Sequence, residues 1–401
     1  MVTESLHMSL AAVQSIALLI NLISPESQWW LEQYDLGNPS LDGEGVIVAV
    51  IDTGIDTSHP DLVGTVIGGA DFSGVGTPNG TSPVGPSGFH GTMVASLIAG
   101  QGKVTGGVIG VAPAAQLLSV SIGLGVEGAD TDRQVAQAVR WSVDNGADVI
   151  NLSISRNSLT WPASWDSAFL YAMENDVVIV AASGNESENL KSATAPATIP
   201  GVVAVTAINR ENQTVIGAGS SGIGIALAAP GVDLYGSYPG DEIRSWSGSS
   251  AAAPLVTGLV ALLRQKDPMA SANDIIQRLL ASSIDAGAPG FDAEFGFGIV
   301  SPAGALSSQA SATNNPLGSL GDWIRLYRPQ ALEDEAELLI PPSVGPEELD
   351  IQPNQAFLTA ELWSNPLLYV LLVPLALLLW FSYRKRSGRA GKKKPEGNSF
   401  S

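Results

Sequence analysis

The sequence contains no cysteine, and no Lys or Arg occurs before Lys103. The first absence excludes disulfide frameworks, thiol catalysis and cysteine-ligated zinc together. Only three histidines are present, His7, His59 and His90, so imidazole chemistry has few candidates. Basic residues number 19 against 39 acidic ones, for a formal net charge of -20 over 401 residues. Nucleic acid is therefore excluded as a partner, because its recognition needs a basic footprint.

What the chain does have is a serine placed for chemistry. Gly248-Ser249-Ser250-Ala251-Ala252-Ala253-Pro254 opens an apolar helix expected from Leu255 to Leu263. A helix N-terminus offers unpaired N–H groups and the positive end of the dipole, which stabilise negative charge developing beside Ser250. Pro254, four residues beyond Ser250, has no N–H and denies the Ser250 carbonyl its usual helical donor. An ordinary Ser cap before a core helix is the other reading of this stretch alone.

Two further stretches complete a triad. His90-Gly91-Thr92-Met93-Val94-Ala95-Ser96 is again a polar residue at the head of a small-residue apolar helix. Val48-Ala49-Val50-Ile51-Asp52-Thr53-Gly54 ends an apolar run on a carboxylate followed by a Gly turn, the carboxyl end of a buried strand, where open parallel sheets carry their sites. The chain order Asp, His, Ser is one of three in which this triad is known.

These residues resemble the blocks of the subtilisin-like serine peptidases: Asp52-Thr53-Gly54, His90-Gly91-Thr92 and Gly248 to Pro254, with Ser249 where Thr is usual. A fourth block, Ala181-Ala182-Ser183-Gly184-Asn185, agrees. The resemblance spans Gly43 to Leu306 and implies an α/β, doubly wound, mostly parallel sheet. It further implies Ser250 as nucleophile, His90 as general base, Asp52 as its orienter and Asn185 as oxyanion donor. No cofactor is required on this reading. Structural calcium, which some relatives bind, has candidate ligands in Asp71 and Asn79, without a ligand signature. Asn151 to Ser155 is similar to the family's substrate strand, with Ser155 where Gly is usual, so an extended peptide or protein substrate is expected along Ser153, Ile154 and Ser155 by backbone pairing. Ser183, Gly184 and Thr194 are expected to line the specificity pocket, with Pro196 where relatives carry a cis proline. No charged residue is evident there, which implies a small or medium uncharged residue before the scissile bond. His59, in His59-Pro60-Asp61-Leu62, is expected to be structural.

Between Leu117 and Thr206, apolar runs alternate with amphipathic ones. The pattern predicts strands at Leu117 to Ser121, Ala147 to Leu152, Val177 to Ala182 and Val202 to Ala207, and helices at Asp132 to Asn145 and Trp165 to Asn175. Outside the domain at 43–306, residues 1–24 hold a signal-like apolar segment lacking the basic n-region, with an uncleaved packed helix or a misassigned start as alternatives. Residues 25–42 form a short extension with Trp29, Trp30 and Tyr34, shorter than a full folding propeptide. Residues 307–365 read as an acidic, Pro-containing stalk, with docking of Trp323 to Leu326 and Leu338 to Ile340 on the domain as the alternative.

Residues 366–383 carry no charge and span about 27 Å as a helix, enough to cross a bilayer. The tail 384–401 carries about +6 while the rest of the chain carries about -26, which places the tail in the cytoplasm and the peptidase domain outside the cell membrane. This layout, with His-Gly-Thr-x-Val-Ala-Ser at His90 to Ser96, resembles the mycosins of actinobacterial type VII secretion and implies a type VII secretion complex as partner. The competing reading is a catalytically weak or inactive subtilisin-fold scaffold of such an assembly, suggested by Ala251 where Met is usual, Ser249 for Thr and Ser155 for Gly.

Overall fold

The strand Ile47–Asp52 (β1) shows how this sequence builds its layers. Side chains alternate along a strand, and here Val48 and Val50 enter one core while Ala49 and Ile51 enter another. A strand covered on both faces reads as a continuous apolar run, which is why the polar/apolar alternation of a half-exposed strand is missing. In the computed structural model, residues 28–34, 40–103, 106–186 and 192–329 are described. The chain divides into two units, 1–338 and 339–401, and all described residues lie in the first.

The remaining strands are β2 (Val66–Asp71), β3 (Gln116–Ser121), β4 (Val149–Leu152), β5 (Val178–Ala182), β6 (Val203–Ile208) and β7 (Leu227–Pro230), which with β1 form one parallel sheet in the order β2-β3-β1-β4-β5-β6-β7. The expected strands are present with ends displaced by no more than two residues. The chain leaves β1 towards β3 and β2 on one side and towards β4 to β7 on the other. The β1/β4 boundary is therefore the switch point, outside whose carboxyl ends a crevice opens. A hairpin of β8 (Leu234–Tyr238) and β9 (Glu242–Trp246) stands apart from the sheet.

The helices are α1 (Trp29–Gln33), α2 (His90–Ala99), α3 (Thr131–Asp144), α4 (Ala163–Glu174), α5 (Ser249–Lys266), α6 (Ala272–Ala281), α7 (Pro302–Ser307) and α8 (Leu320–Tyr327). α2 and α5 pack into the core that holds Val48 and Val50, and α3 and α4 into the opposite one. α5 is buried along nearly its whole length and starts at Ser249, ahead of the apolar run that marks it in sequence, with Pro254 inside it.

The N-terminal extension is docked. Trp30 is fully buried, and Gln28 pairs with Ile109 twice, donating to its carbonyl at 3.1 Å and accepting from its N–H at 3.2 Å. Gln33 donates to the Arg210 carbonyl at 3.0 Å and the Tyr34 hydroxyl to Asn212 Oδ1. Burial pushes the Tyr34 phenol up to about 12.

At the other end the packed domain continues past Leu306, correcting the assignment of 307–329 to a stalk. Leu320 and Ile324 of α8 are buried, Trp323 packs on Trp161 at 4.5 Å, and Arg328 pairs with Asp166 at 3.1 Å. This is the docking expected as the alternative for Trp323 to Leu326. The segment 1–24, the rest of the stalk, the span 366–383 and the tail lie outside the described residues. Among the described residues, no helix is long and apolar enough to cross a membrane.

Candidate active site

Asp52 is the last residue of β1 and fully buried. Its Oδ1 accepts from the Thr53 N–H at 2.8 Å, and its two oxygens face His90 Nδ1 at 2.8 and 2.9 Å. With Nδ1–H donating to the carboxylate, Nε2 carries the free lone pair. Thr53 holds the head of α2 against the strand end, its hydroxyl accepting from the Gly91 N–H at 3.0 Å and donating to the Gly88 carbonyl at 3.1 Å. The approach requires glycine: a Cβ on Gly91 would lie 2.3 Å from the Gly54 carbonyl oxygen.

Burial lowers the His90 pKa, and the charge and hydrogen bond of Asp52 together outweigh it, leaving the imidazole above its ordinary value. The ring meets Trp246 of β9 edge to face, centroids 5.4 Å apart. That neighbour is not among the residues singled out by sequence; the one signal for it is its place four residues before Ser250.

β1 and β4 are neighbours with Val50 opposite Asn151, so Asp52 and Ser153, each two residues further on, leave the sheet side by side. Ser153 receives α5. Ser250 Oγ donates to the Ser153 carbonyl at 3.0 Å, and Ser153 Oγ donates to the Ser250 carbonyl at 3.0 Å. The second bond supplies the donor that Pro254 withholds. Asn151 steadies Ser153, donating to its Oγ at 3.0 Å while accepting from Thr257 at 2.8 Å. The Ser250 hydroxyl is thus turned to Ser153 rather than to His90. In unliganded serine hydrolases such catalytic hydrogen bonds are often unmade and tighten only with substrate bound.

Asn185 Oδ1 accepts from the Ser249 N–H at 3.0 Å and from Ser249 Oγ at 3.1 Å. Its carbonyl is thereby occupied, which leaves Nδ2 as its free donor group. The Ser250 N–H, in the first turn of α5, has no intrahelical acceptor. Ser249 is also tied to Gly184, whose N–H donates to its Oγ at 3.1 Å and whose carbonyl, 3.0 Å away, shares the one hydroxyl proton with Asn185 Oδ1. Read from sequence only as a stand-in for Thr, Ser249 is the residue that holds the Asn185 amide.

The other expected substrate residues separate. Ser155 is exposed beside Gly184, and Thr194 lies beneath Gly184. The Ile154 side chain is buried in the core, so only its backbone can meet a ligand. Ser183 is fully buried, its hydroxyl donating to the Gly184 carbonyl at 3.1 Å. The Ala195–Pro196 bond is cis. His59 is fully buried, donating from Nε2 to the Glu242 carbonyl at 3.1 Å and accepting at Nδ1 from the Asp61 N–H at 3.2 Å, so it ties down the β8–β9 hairpin.

The calcium candidates do not fit an ion. Both Asp71 oxygens are taken by donors: Ser121 Oγ at 2.6 Å, Ser73 Oγ at 2.5 Å, and the N–H groups of Ser73, Gly74 and Gly76 at 3.1 Å. Asn79 Oδ1 accepts from Thr81 at 2.8 Å. A cation needs oxygens presented to it, and these present themselves to N–H and O–H groups. Among the described residues, no cluster of three His, Asp or Glu is placed to hold a metal.

A buried Asp–His pair and a serine at a helix mouth, at the switch point of a parallel sheet, are the parts from which a serine hydrolase site is built. The profile of the subtilase family, peptidase S8, matches residues 43–298, and the chain belongs to that family of serine endopeptidases. Subtilisin BL of Lederbergia lenta is 39% identical over 231 residues, 58% of this chain and 80% of that protein. The crystal structure of fervidolysin from Fervidobacterium pennivorans, described as a keratinolytic enzyme related to subtilisin, superposes with a TM-score of 0.63 at 32% identity, covering 71% of this chain and 46% of that one. MycP1 from Mycobacterium smegmatis superposes with a TM-score of 0.61 at 27% identity, covering 73% of this chain and 86% of that one. MycP1 is also described as coming from the ESX-1 type VII secretion system.

Proposed function

We propose that this chain is a membrane-anchored, extracytoplasmic endopeptidase that cleaves peptide bonds with Ser250, His90 and Asp52. Ser250 Oγ attacks the scissile carbonyl as His90 Nε2 takes its proton. Asn185 Nδ2 and the Ser250 N–H stabilise the oxyanion, and His90 returns the proton to the leaving amine. Water then repeats the sequence on the acyl-enzyme. Asp52 remains ionised throughout, fixing the tautomer and stabilising the imidazolium. The observation that carries the reading is the buried Asp52–His90 pair at 2.8 Å, delivered by β1 next to the loop that receives Ser250. A scaffold has no physical reason to keep a carboxylate buried against an imidazole. The test is hydrolysis of a quenched fluorescent peptide by the purified chain: turnover should be lost in Ser250→Ala and His90→Ala variants of unchanged melting temperature, and turnover surviving either would refute the assignment.

The likeness to MycP1 supports a secretion-associated role, with a type VII secretion complex as partner. The charge-free run 366–383 and the basic tail support a single span with the peptidase domain outside. Protease protection in spheroplasts with tags on either side of the span tests this. A tail tag digested from outside, or a shielded domain tag, would reverse the topology.

A further inference from the structure

We propose that the recess beside Ser250 admits only the smallest side chains, so that the substrates are peptides with Gly, Ala or Ser contributing the scissile carbonyl, and that Ser155 and Thr194 set this limit. The inference deepens the peptidase reading and rests on it. Three segments meet at the recess: Ser153 to Ser155 beyond β4, Ser183 to Asn185 beyond β5, and Thr194. The first and second hold Ser250 and Ser249 respectively, so the space between them is where the residue bearing the attacked carbonyl must lie.

That space is already filled. A Cβ on Gly184, at φ +92°, would lie 2.9 Å from Thr194 Oγ1, 3.4 Å from Ser155 Cβ and 3.6 Å from Ser155 Oγ. A carbon–carbon bond is about 1.5 Å long, so the Gly184 Cα and Ser155 Cβ are no more than about 5 Å apart. A methylene inserted between two walls needs about 3.5–4.0 Å to each, hence a gap of roughly 7 Å or more. Side chains extending beyond the first or second atom therefore have no passage. The floor agrees: Thr194 is 3% exposed, and among the described residues its hydroxyl has no hydrogen-bond partner and no contact with solvent. In an open polar recess a water would reach such a group.

The test uses one peptide frame with Ala, Ser, Leu or Phe before the scissile bond. In the wild-type protein, kcat/KM for Ala and Ser should exceed that for Leu and Phe by about tenfold or more. Ser155→Gly should raise the relative rate on Leu, and Ser155→Gly with Thr194→Gly should raise it on Phe, while Ser155→Ala, which keeps the wall, should preserve the order. The same peptides titrated into the Ser250→Ala protein by calorimetry read the recess without turnover. A size order in binding without wild-type turnover would keep the recess and remove the peptidase reading. Leu or Phe bound or cleaved as well as Ala, an order unmoved by Ser155→Gly, or no binding by any peptide would overturn the proposal.

Discussion

Ser153 and Ser250 are hydrogen-bonded to each other twice, each hydroxyl donating to the other's carbonyl at 3.0 Å. The pair follows from Pro254: a helix that starts at Ser249 with proline at its sixth position leaves the Ser250 carbonyl without a helical donor, and a part-buried acceptor without one is costly.

Ser153→Ala removes that donor. It should cost about 1–3 kcal/mol of stability in denaturant unfolding, the range for an orphaned buried group. It should also lower kcat more than it raises KM, because the backbone that carries the nucleophile is then less firmly placed.

Because Asp52 holds the His90 imidazole above its ordinary pKa, the acidic limb of kcat/KM should lie above that of a free histidine, near pH 6.5. Asp52→Asn removes both raising causes and leaves the lowering effect of burial, so the limb should move to lower pH. The rate above it should fall by about four decades, as when the orienting carboxylate of such a triad is neutralised. The raised pKa also gives a stability contribution present below the unfolded value and lost as pH rises through the folded one. In calorimetry, the advantage of wild type over Asp52→Asn should therefore shrink across that window.

Asn185→Ala should lower kcat by about two to three decades with little change in KM, the usual cost of one oxyanion donor. Ser249→Ala should lower it by only about tenfold, since one of the two hydrogen bonds that aim the Asn185 amide comes from the Ser249 backbone and survives. Equal losses would mean that Ser249 does more than position Asn185.

How much of this was legible in sequence differs from element to element. β1 announces itself because Val46 to Ile51 is apolar throughout, the mark of a strand covered on both faces. The β8–β9 hairpin does not, since Glu242-Ile243-Arg244-Ser245-Trp246 is largely exposed and has too few apolar residues to show a period. Its bearing on the site, Trp246 against His90, is invisible for that reason. Pro254 reveals that the Ser250 carbonyl needs a donor but cannot say that Ser153, 97 positions away, supplies it. The inward direction of the Ile154 and Ser183 side chains is likewise a property of the folded sheet, and it leaves the backbone pairing expected at Ile154 untouched.

The docked extension gives a further prediction. Trp30→Ala should cost about 3–5 kcal/mol, the range for a fully buried aromatic, with kcat of the folded protein unchanged because α1 is remote from Ser250 in its contacts. With the Tyr34 phenol at about 12, its ionisation favours the unfolded chain, so stability should fall between about pH 10 and 12 and fall less in Tyr34→Phe.

The central claim is that Ser250 is a nucleophile activated by His90. The most direct measurement is labelling of the purified protein with a fluorophosphonate, followed by mass-spectrometric mapping of the adduct. One phosphonylation at Ser250, abolished in His90→Ala, is the predicted result. An unlabelled protein, or an adduct on Ser249, would contradict it.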